Sequence, residues 1–229
     1  MSATIVSWNI QKGIGMDLRR DVARTAEVLA VLEPDIVGLQ EVLRVRGMDQ
    51  AASIAERVGL TLTWGEARKT RDGSYGNALL VRGTIVHARV HDLTVGRHEA
   101  RCCLDAQVVV RGMTLRVLIC HLGLGLGERR QQTARLLDIL HDSPSDIPRI
   151  LMGDFNEWHR GPVWRALESE FPSALAPKRS HPSALPMFAL DRLVWDDALE
   201  GTVEVLPVRM ASDHRLLRAK LTRSGATQP

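Results

Sequence analysis

Between Tyr75 and Cys120 the chain carries several strand-like apolar runs with no helical pattern between them, whereas the thirds on either side alternate strand with helix. Consecutive strands without a crossover helix pair antiparallel, and strand–helix alternation favours parallel neighbours. The sequence therefore predicts a mixed α/β sandwich rather than a uniform doubly wound sheet. Strands are expected over residues 3–8, 35–39, 77–81, 104–110, 114–120, 149–152 and 188–195. Leu18, Val22, Ala26, Leu29 and Leu32 recur at steps of three or four and predict a helix stopped by Pro34. A second helix is expected over 51–58, ending at Gly59. A third covers GERRQQTARLLDILHD, with Ala134, Leu137 and Leu140 on one face and Leu136 beside it. The Pro/Ser-rich stretch 176–186 reads as a surface loop and the tail RSGATQP as frayed.

With 229 residues, 45% of them hydrophobic, the chain has enough apolar surface for one domain spanning 1–229. A net charge of +3 is compatible with a phosphate-bearing partner, but no Lys/Arg block forms a nucleic-acid arm. Arg44, Arg46, Arg68, Lys69 and Arg71 are scattered basics of expected rim loops. Cys102, Cys103 and Cys120 show no zinc or disulfide spacing, which points to a reducing compartment. The N-terminal stretch has neither a basic leader nor an apolar run long enough to span a membrane. A soluble, cytoplasmic monomer is the expectation.

The chemistry concentrates where the apolar runs stop. TIVSWN ends at Asn9, DIVGLQE at Glu41, VLICH at His121, and RILMGDFNEW passes through Asp154 and Asn156. Asp154 and Asn156 alone describe an Asx turn; the same pattern at four strand ends describes a convergent site, because carboxyl ends of strands line ligand crevices in α/β sheets. LDRLVW adds Asp191 at a strand entrance, and SDHRLL adds Asp213 and His214. Four carboxylates in one region repel unless a cation intervenes, and magnesium takes such oxygen ligands. Glu41 is the leading ligand candidate, with Asn9 and Asp213 near it. The glycines of HLGLGLGERR do not follow P-loop order and read as a flexible rim connection. His87, His91, His98, His141, His159 and His181 have no supporting spacing and are assigned to the surface or to satisfied hydrogen bonds.

SWNI, LQEV, YGNALL, EARCCL, HLGLG, GDFNEW, LDRL and SDH occur in an order that resembles the endonuclease/exonuclease/phosphatase superfamily over nearly the whole chain. That superfamily includes pancreatic-type deoxyribonucleases, apurinic endonucleases, neutral sphingomyelinases and inositol polyphosphate 5-phosphatases. The resemblance implies a four-layer sandwich, two packed mixed sheets flanked by helices, and Mg2+- or Mn2+-dependent attack of water on phosphorus. It implies Glu41, Asn9 and Asp213 as metal-site residues and Asp154 as the aspartate that orients or deprotonates water. Asn156 and His214 would contact the phosphate, with Asp191 orienting His214 and His121 as the second histidine. Tyr75, Asn77 and Arg101 fall in motifs assigned to substrate binding. Gln11 departs from the apurinic pattern, which often has an aspartate there, and His121 points away from that branch. The expected activity is a phosphodiesterase acting on a small-molecule, lipid or nucleic-acid diester. A nucleic-acid endonuclease or exonuclease is the alternative within the superfamily, and a catalytically inactive phosphate-ligand binding module is the alternative of another class.

Overall fold

The computed structural model describes residues 2–142, 146–171, 177–208 and 210–225. The last residues of the expected frayed tail, and residue 176 of the expected loop, lie outside them. Two mixed sheets pack face to face. The first has the order β11-β12-β1-β2-β5-β4, with the two-residue β3 (Met48–Asp49) paired to β2. Its strands are β1 (Ser2–Asn9), β2 (Ile36–Val45), β4 (Thr61–Thr70), β5 (Gly73–Val81), β11 (Leu199–Leu206) and β12 (Leu216–Arg223). The second, ordered β10-β9-β8-β7-β6, contains β6 (Thr84–Asp92), β7 (Cys102–Val110), β8 (Met113–His121), β9 (Arg149–Asp154) and β10 (Asp191–Trp195). Each sheet holds one parallel pair, β1 with β2 and β8 with β9, and otherwise antiparallel neighbours.

Alternating side chains of both sheets, among them Ile5, Leu79, Leu104, Val117, Ile150 and Leu217, interdigitate in the central core. Helices α1 (Val22–Leu32) and α2 (Gln50–Val58) cover the outer face of the first sheet, and α3 (Leu126–His141) and α4 (Pro162–Glu170) that of the second. The order helix, sheet, sheet, helix gives the four layers.

Helix boundaries follow capping rather than apolar spacing. Asp21 accepts from Ala23 N at the start of α1, so Leu18 lies outside the helix, exposed and with φ 61°. The expected start at Leu18 extends a periodic pattern by chance through a loop. On α3 the inward stripe is Glu128, Arg129, Gln132, Thr133, Leu136 and Leu140, while Ala134 is exposed. Three of the strands absent from the expected set, β4, β6 and β11, are sheet edges. Their open faces carry polar residues that hide the alternation. The expected strand 188–195 begins only at Asp191, because Phe188 is spent in an isolated bridge with His181. Helix α4 has Pro162 at its first turn, and the buried Glu157 caps it by accepting from Val163 N (3.4 Å) and Trp164 N (2.8 Å).

Candidate active site

Strand register brings the polar residues together. On three adjacent strands of the second sheet, His121 pairs with Asp154 and Asp154 with Asp191. Facing them, β1 ends at Asn9 beside Gln40 of β2, and the loop carrying Asp213 and His214 leads into β12 at the same end. Gly153 explains the single glycine between ILM and Asp154: a Cβ there would stand 1.8 Å from the Cys120 carbonyl oxygen, and its φ is 144°. Only glycine lets β9 lie that close to β8 as it delivers Asp154.

Glu41 does not end a strand. β2 continues to Val45, and Gln40 and Glu41 form a bulge in which two residues oppose the single Asn77 of β5, with Glu41 at φ 56°. The bulge turns the Glu41 carboxylate toward β1. Asn156 likewise does not extend β9: its φ is 52°, and its backbone N–H donates to Asp154 Oδ1 at 2.9 Å. The Asx turn is therefore present and forms part of the site.

Asp154 is the hub. Asn9 Nδ2 donates to Asp154 Oδ2 (3.0 Å) and to Glu41 Oε1 (3.3 Å). Asn9 Oδ1 accepts from Gln11 N (3.0 Å), which fixes the amide with its nitrogen, not its oxygen, toward both carboxylates. Nε2 of His121 and Nε2 of His214 each stand 3.7 Å from Asp154 Oδ2. His121 Nδ1 lies 3.2 Å from Arg101 Nη1, and a guanidinium only donates, so this imidazole is neutral with its proton on Nε2. Burial pushes His121 down to about 3; Asp154 opposes the shift and Arg101 adds to it. His214 Nδ1 is 2.9 Å from Asp191 Oδ2. Burial works against the His214 charge, but Asp191, Asp154 and Asp213 outweigh it and raise this histidine to about 10.

The carboxylates are interleaved with donors rather than crowded together. Lys12 Nζ is 3.5 Å from Glu41 Oε2, and Ser180 Oγ donates to Asp191 Oδ2. Asp213 lies 3.7 Å from His181 Nε2; burial raises its pKa, but His181 and His214 hold it below the usual carboxylate range. Glu41 and Asp154 share one amide N–H2 group, and two sets of side chains, Asp154 with Asp191 and His214, and His181 with Asp213 and His214, each bring their ligating atoms within 4.8 Å of one another.

His181 is the residue that spacing does not find. Its ring packs on His214 at 4.6 Å between centroids, and its Nδ1 is buried without a hydrogen-bond partner. The loop is threaded there by Ser183 N to Asp213 O (2.6 Å) and Arg215 N to Ser180 O (2.8 Å). Tyr75 is buried with Lys12 and Arg68 over its ring (5.7 and 5.3 Å), and burial, followed by Glu41, pushes its hydroxyl pKa up. Arg101 also reaches Glu99 at 3.1 Å. Asn77 lies apart from this cluster: its amide bridges the sheets, donating to Cys102 O (3.2 Å) and Ile119 O (3.5 Å). The glycine loop before α3 is not loose; Gly123 N donates to Gln132 Oε1 and Arg129 Nη1 donates to Gly123 O. The three cysteines are free and buried.

A profile of the Endonuclease/Exonuclease/phosphatase family matches residues 6–214. The YbhP protein of Escherichia coli strain K12 is 29% identical over 243 residues, covering 96% of both chains. In shape the chain is similar to an endonuclease/exonuclease/phosphatase from Beutenbergia cavernae (TM-score 0.77, 22% identity, 98% of this chain and 72% of that one). It is also similar to a mannosyl-6-phosphatase of Bacteroides thetaiotaomicron (0.81, 16%, 96% and 99%). A further similar structure is the human Nocturnin catalytic domain with bound sulfate (0.80, 20%, 97% and 94%).

Proposed function

Because the chain belongs to the Endonuclease/Exonuclease/phosphatase family, we propose that it is a divalent-metal-dependent phosphoesterase that hydrolyses diesters in preference to monoesters, with one domain of residues 1–229 as the catalyst. The observation that carries the reading is the pair of imidazole Nε2 atoms 3.7 Å from Asp154 Oδ2. Both N–H groups lie beyond hydrogen-bond range of the carboxylate and are free for the non-bridging oxygens of a phosphate, whose charge must be neutralised during transfer.

Asp154 Oδ2 holds the attacking water and takes its proton, while Asn156 N–H keeps Oδ1 in place. Asn156 Nδ2 donates one hydrogen to Leu122 O (2.8 Å) and keeps the second for the phosphate. His121 donates as a neutral imidazole and His214 as a cation oriented by Asp191. The donor set fits magnesium or manganese: the Glu41 carboxylate is a hard oxygen ligand, with Asp213 on the neighbouring loop as a further one. Such an ion would supply positive charge to the phosphate oxygens. Asn9 orders the carboxylates of Glu41 and Asp154. Diesters are favoured because the nearest cations are already committed, Arg101 and Arg68 to Glu99 and Lys12 to Glu41. Among the described residues, a dianionic monoester would find no unpaired arginine fork in contact with the Asp154 cluster.

The test is turnover of bis-p-nitrophenyl phosphate and p-nitrophenyl phosphate by protein stripped with chelator and reloaded with magnesium or manganese. Activity lost on stripping and regained on reloading, with the diester ahead in kcat/KM, is expected. Undiminished turnover by protein shown metal-free by elemental analysis would overturn the metal requirement, and a faster monoester would reverse the preference.

A further inference from the structure

The two ends of the sandwich differ in what they expose. At the site end, large apolar side chains project from five separate loops. Leu18 follows β1 (85% exposed), Leu124 follows β8 (77%), and Trp158 follows β9 (61%). Leu185 (70%) and Met187 precede β10, and Met210 precedes β12. At the opposite end, where the turns hold Glu33, Arg82, Arg111 and Asp197, the large apolar side chains exposed among the described residues are single valines, Val31 at the end of α1, Val86 near the start of β6 and Val109 near the end of β7. The exposed Val31, Val86, Val90 and Val109 lie within α1, β6 and β7 and do not ring a cleft.

Exposed aliphatic groups cost solubility, and their concentration around one polar cleft marks a surface that leaves water during work. Trp158 is held outward by edge-on contacts with His159 (5.3 Å) and Phe188 (5.4 Å), so its exposure is built in. Arg19 and Arg179 stand in the loops after β1 and before β10, Arg97 in the β6–β7 connection and Arg130 in the first turns of α3, all exposed and without a salt bridge among the described residues. One exposed aromatic ring, Trp158, among aliphatic tips does not make the succession of stacking platforms that a nucleic-acid strand takes. Aliphatic tips, an interfacial tryptophan and unpaired arginines together match the surface of an anionic bilayer.

We infer that this rim rests on an anionic phospholipid surface with its apolar tips inserted, and that the phosphate reaching Asp154 belongs to a lipid headgroup. The inference rests on the phosphoesterase reading for its second half. No helix among the described residues is long and apolar enough to cross a membrane.

The full chain, kept in chelator so that no ester is consumed, is sedimented with vesicles of equimolar phosphatidylglycerol and phosphatidylcholine and with phosphatidylcholine alone. Wild type is expected to partition to the anionic vesicles, and the Leu124→Ser/Leu185→Ser variant to bind at least about tenfold more weakly. Its melting temperature and its magnesium-supported kcat/KM on bis-p-nitrophenyl phosphate should match wild type. Absence of vesicle binding, or equal binding by the variant, while the soluble diester is still turned over, overturns the docking surface and leaves the phosphoesterase standing. A wild-type dimer that the two serines dissociate, with no vesicle binding, assigns the rim to a second copy and also overturns it. Leucine-dependent binding without hydrolysis of any ester supports the surface and removes the reaction.

Discussion

His121 and His214 approach the same oxygen of Asp154 from two sides, at the same 3.7 Å, yet the fold wires them in opposite senses. Behind His121 stands a guanidinium, which can only donate and so keeps Nδ1 bare. Behind His214 stands a carboxylate, which keeps Nδ1 protonated and makes a second proton on Nε2 favourable. The contrast teaches that an imidazole's role is set by its rear partner rather than by what it faces. A site flanked by one neutral and one cationic donor adds a single positive charge, which suits a monoanionic diester.

The largest effect should come from the shared oxygen itself. Asp154→Asn keeps the Asx turn, because the amide oxygen still accepts from Asn156 N–H. It sets a second N–H2 group against Asn9 and removes the water's proton acceptor. We expect kcat with saturating metal to fall at least about 10²-fold, with a modestly lower melting temperature in chelator from the opposed donors. Near-normal turnover would reduce Asp154 to a turn residue and remove the point about which the two histidines are compared.

Next comes the cationic side. His214→Ala should lower kcat by about 10²-fold and Asp191→Asn by about 10-fold or more, since a carboxylate that fixes tautomer and charge acts only through its imidazole. The double variant should be no slower than His214→Ala. Losses that multiply would separate the two residues.

Protonation offers a gentler break. An ordinary histidine titrates near 6.5, so the neutral His121, held at about 3, contributes stability above pH ~6.5 that is lost as pH falls toward 3. His214, raised to about 10, contributes stability below pH ~6.5 that is lost as pH rises through 10. Melting curves across pH in chelator should show His121→Gln flattening the acid limb and His214→Gln the alkaline limb. Identical profiles for the two variants would mean that the wiring is not opposite. The smallest effect is expected from Arg101→Met. Without the donor, His121 Nδ1 can take a proton, so kcat should fall about threefold to tenfold, with the acid side of the pH–rate profile shifted upward. An unmoved profile would make Arg101 merely structural.

Some of this was legible in the sequence and some was not. Asn9, His121, Asp154 and Asp191 show because each interrupts or bounds an apolar run, and a strand's period fixes where its end points. Glu41 appeared as a strand end although it occupies a bulge, since a bulge leaves no mark on local periodicity when apolar residues continue past it. Glu157 had no role legible in spacing, because its carboxylate serves as the cap of α4 through partners six and seven residues ahead. His181 escaped because its path to His214 is set by bonds from Ser183 and Arg215 across the loop. Such tertiary anchoring has no signature in spacing. The edge strands were hidden by their polar faces.

The left-handed backbone at Glu41, φ 56°, has its counterpart in Lys12, φ 58°, so both members of one ion pair occupy a conformation that favours glycine. Each position costs folding about 1 kcal/mol that glycine would recover. Random mutants sorted for heat resistance alone should accumulate glycine at 41 and 12, whereas sorting for turnover should purge it at 41. The ratio of glycine frequencies between the two selected populations would then report, without any assay of a purified enzyme, how strongly the cell needs the carboxylate.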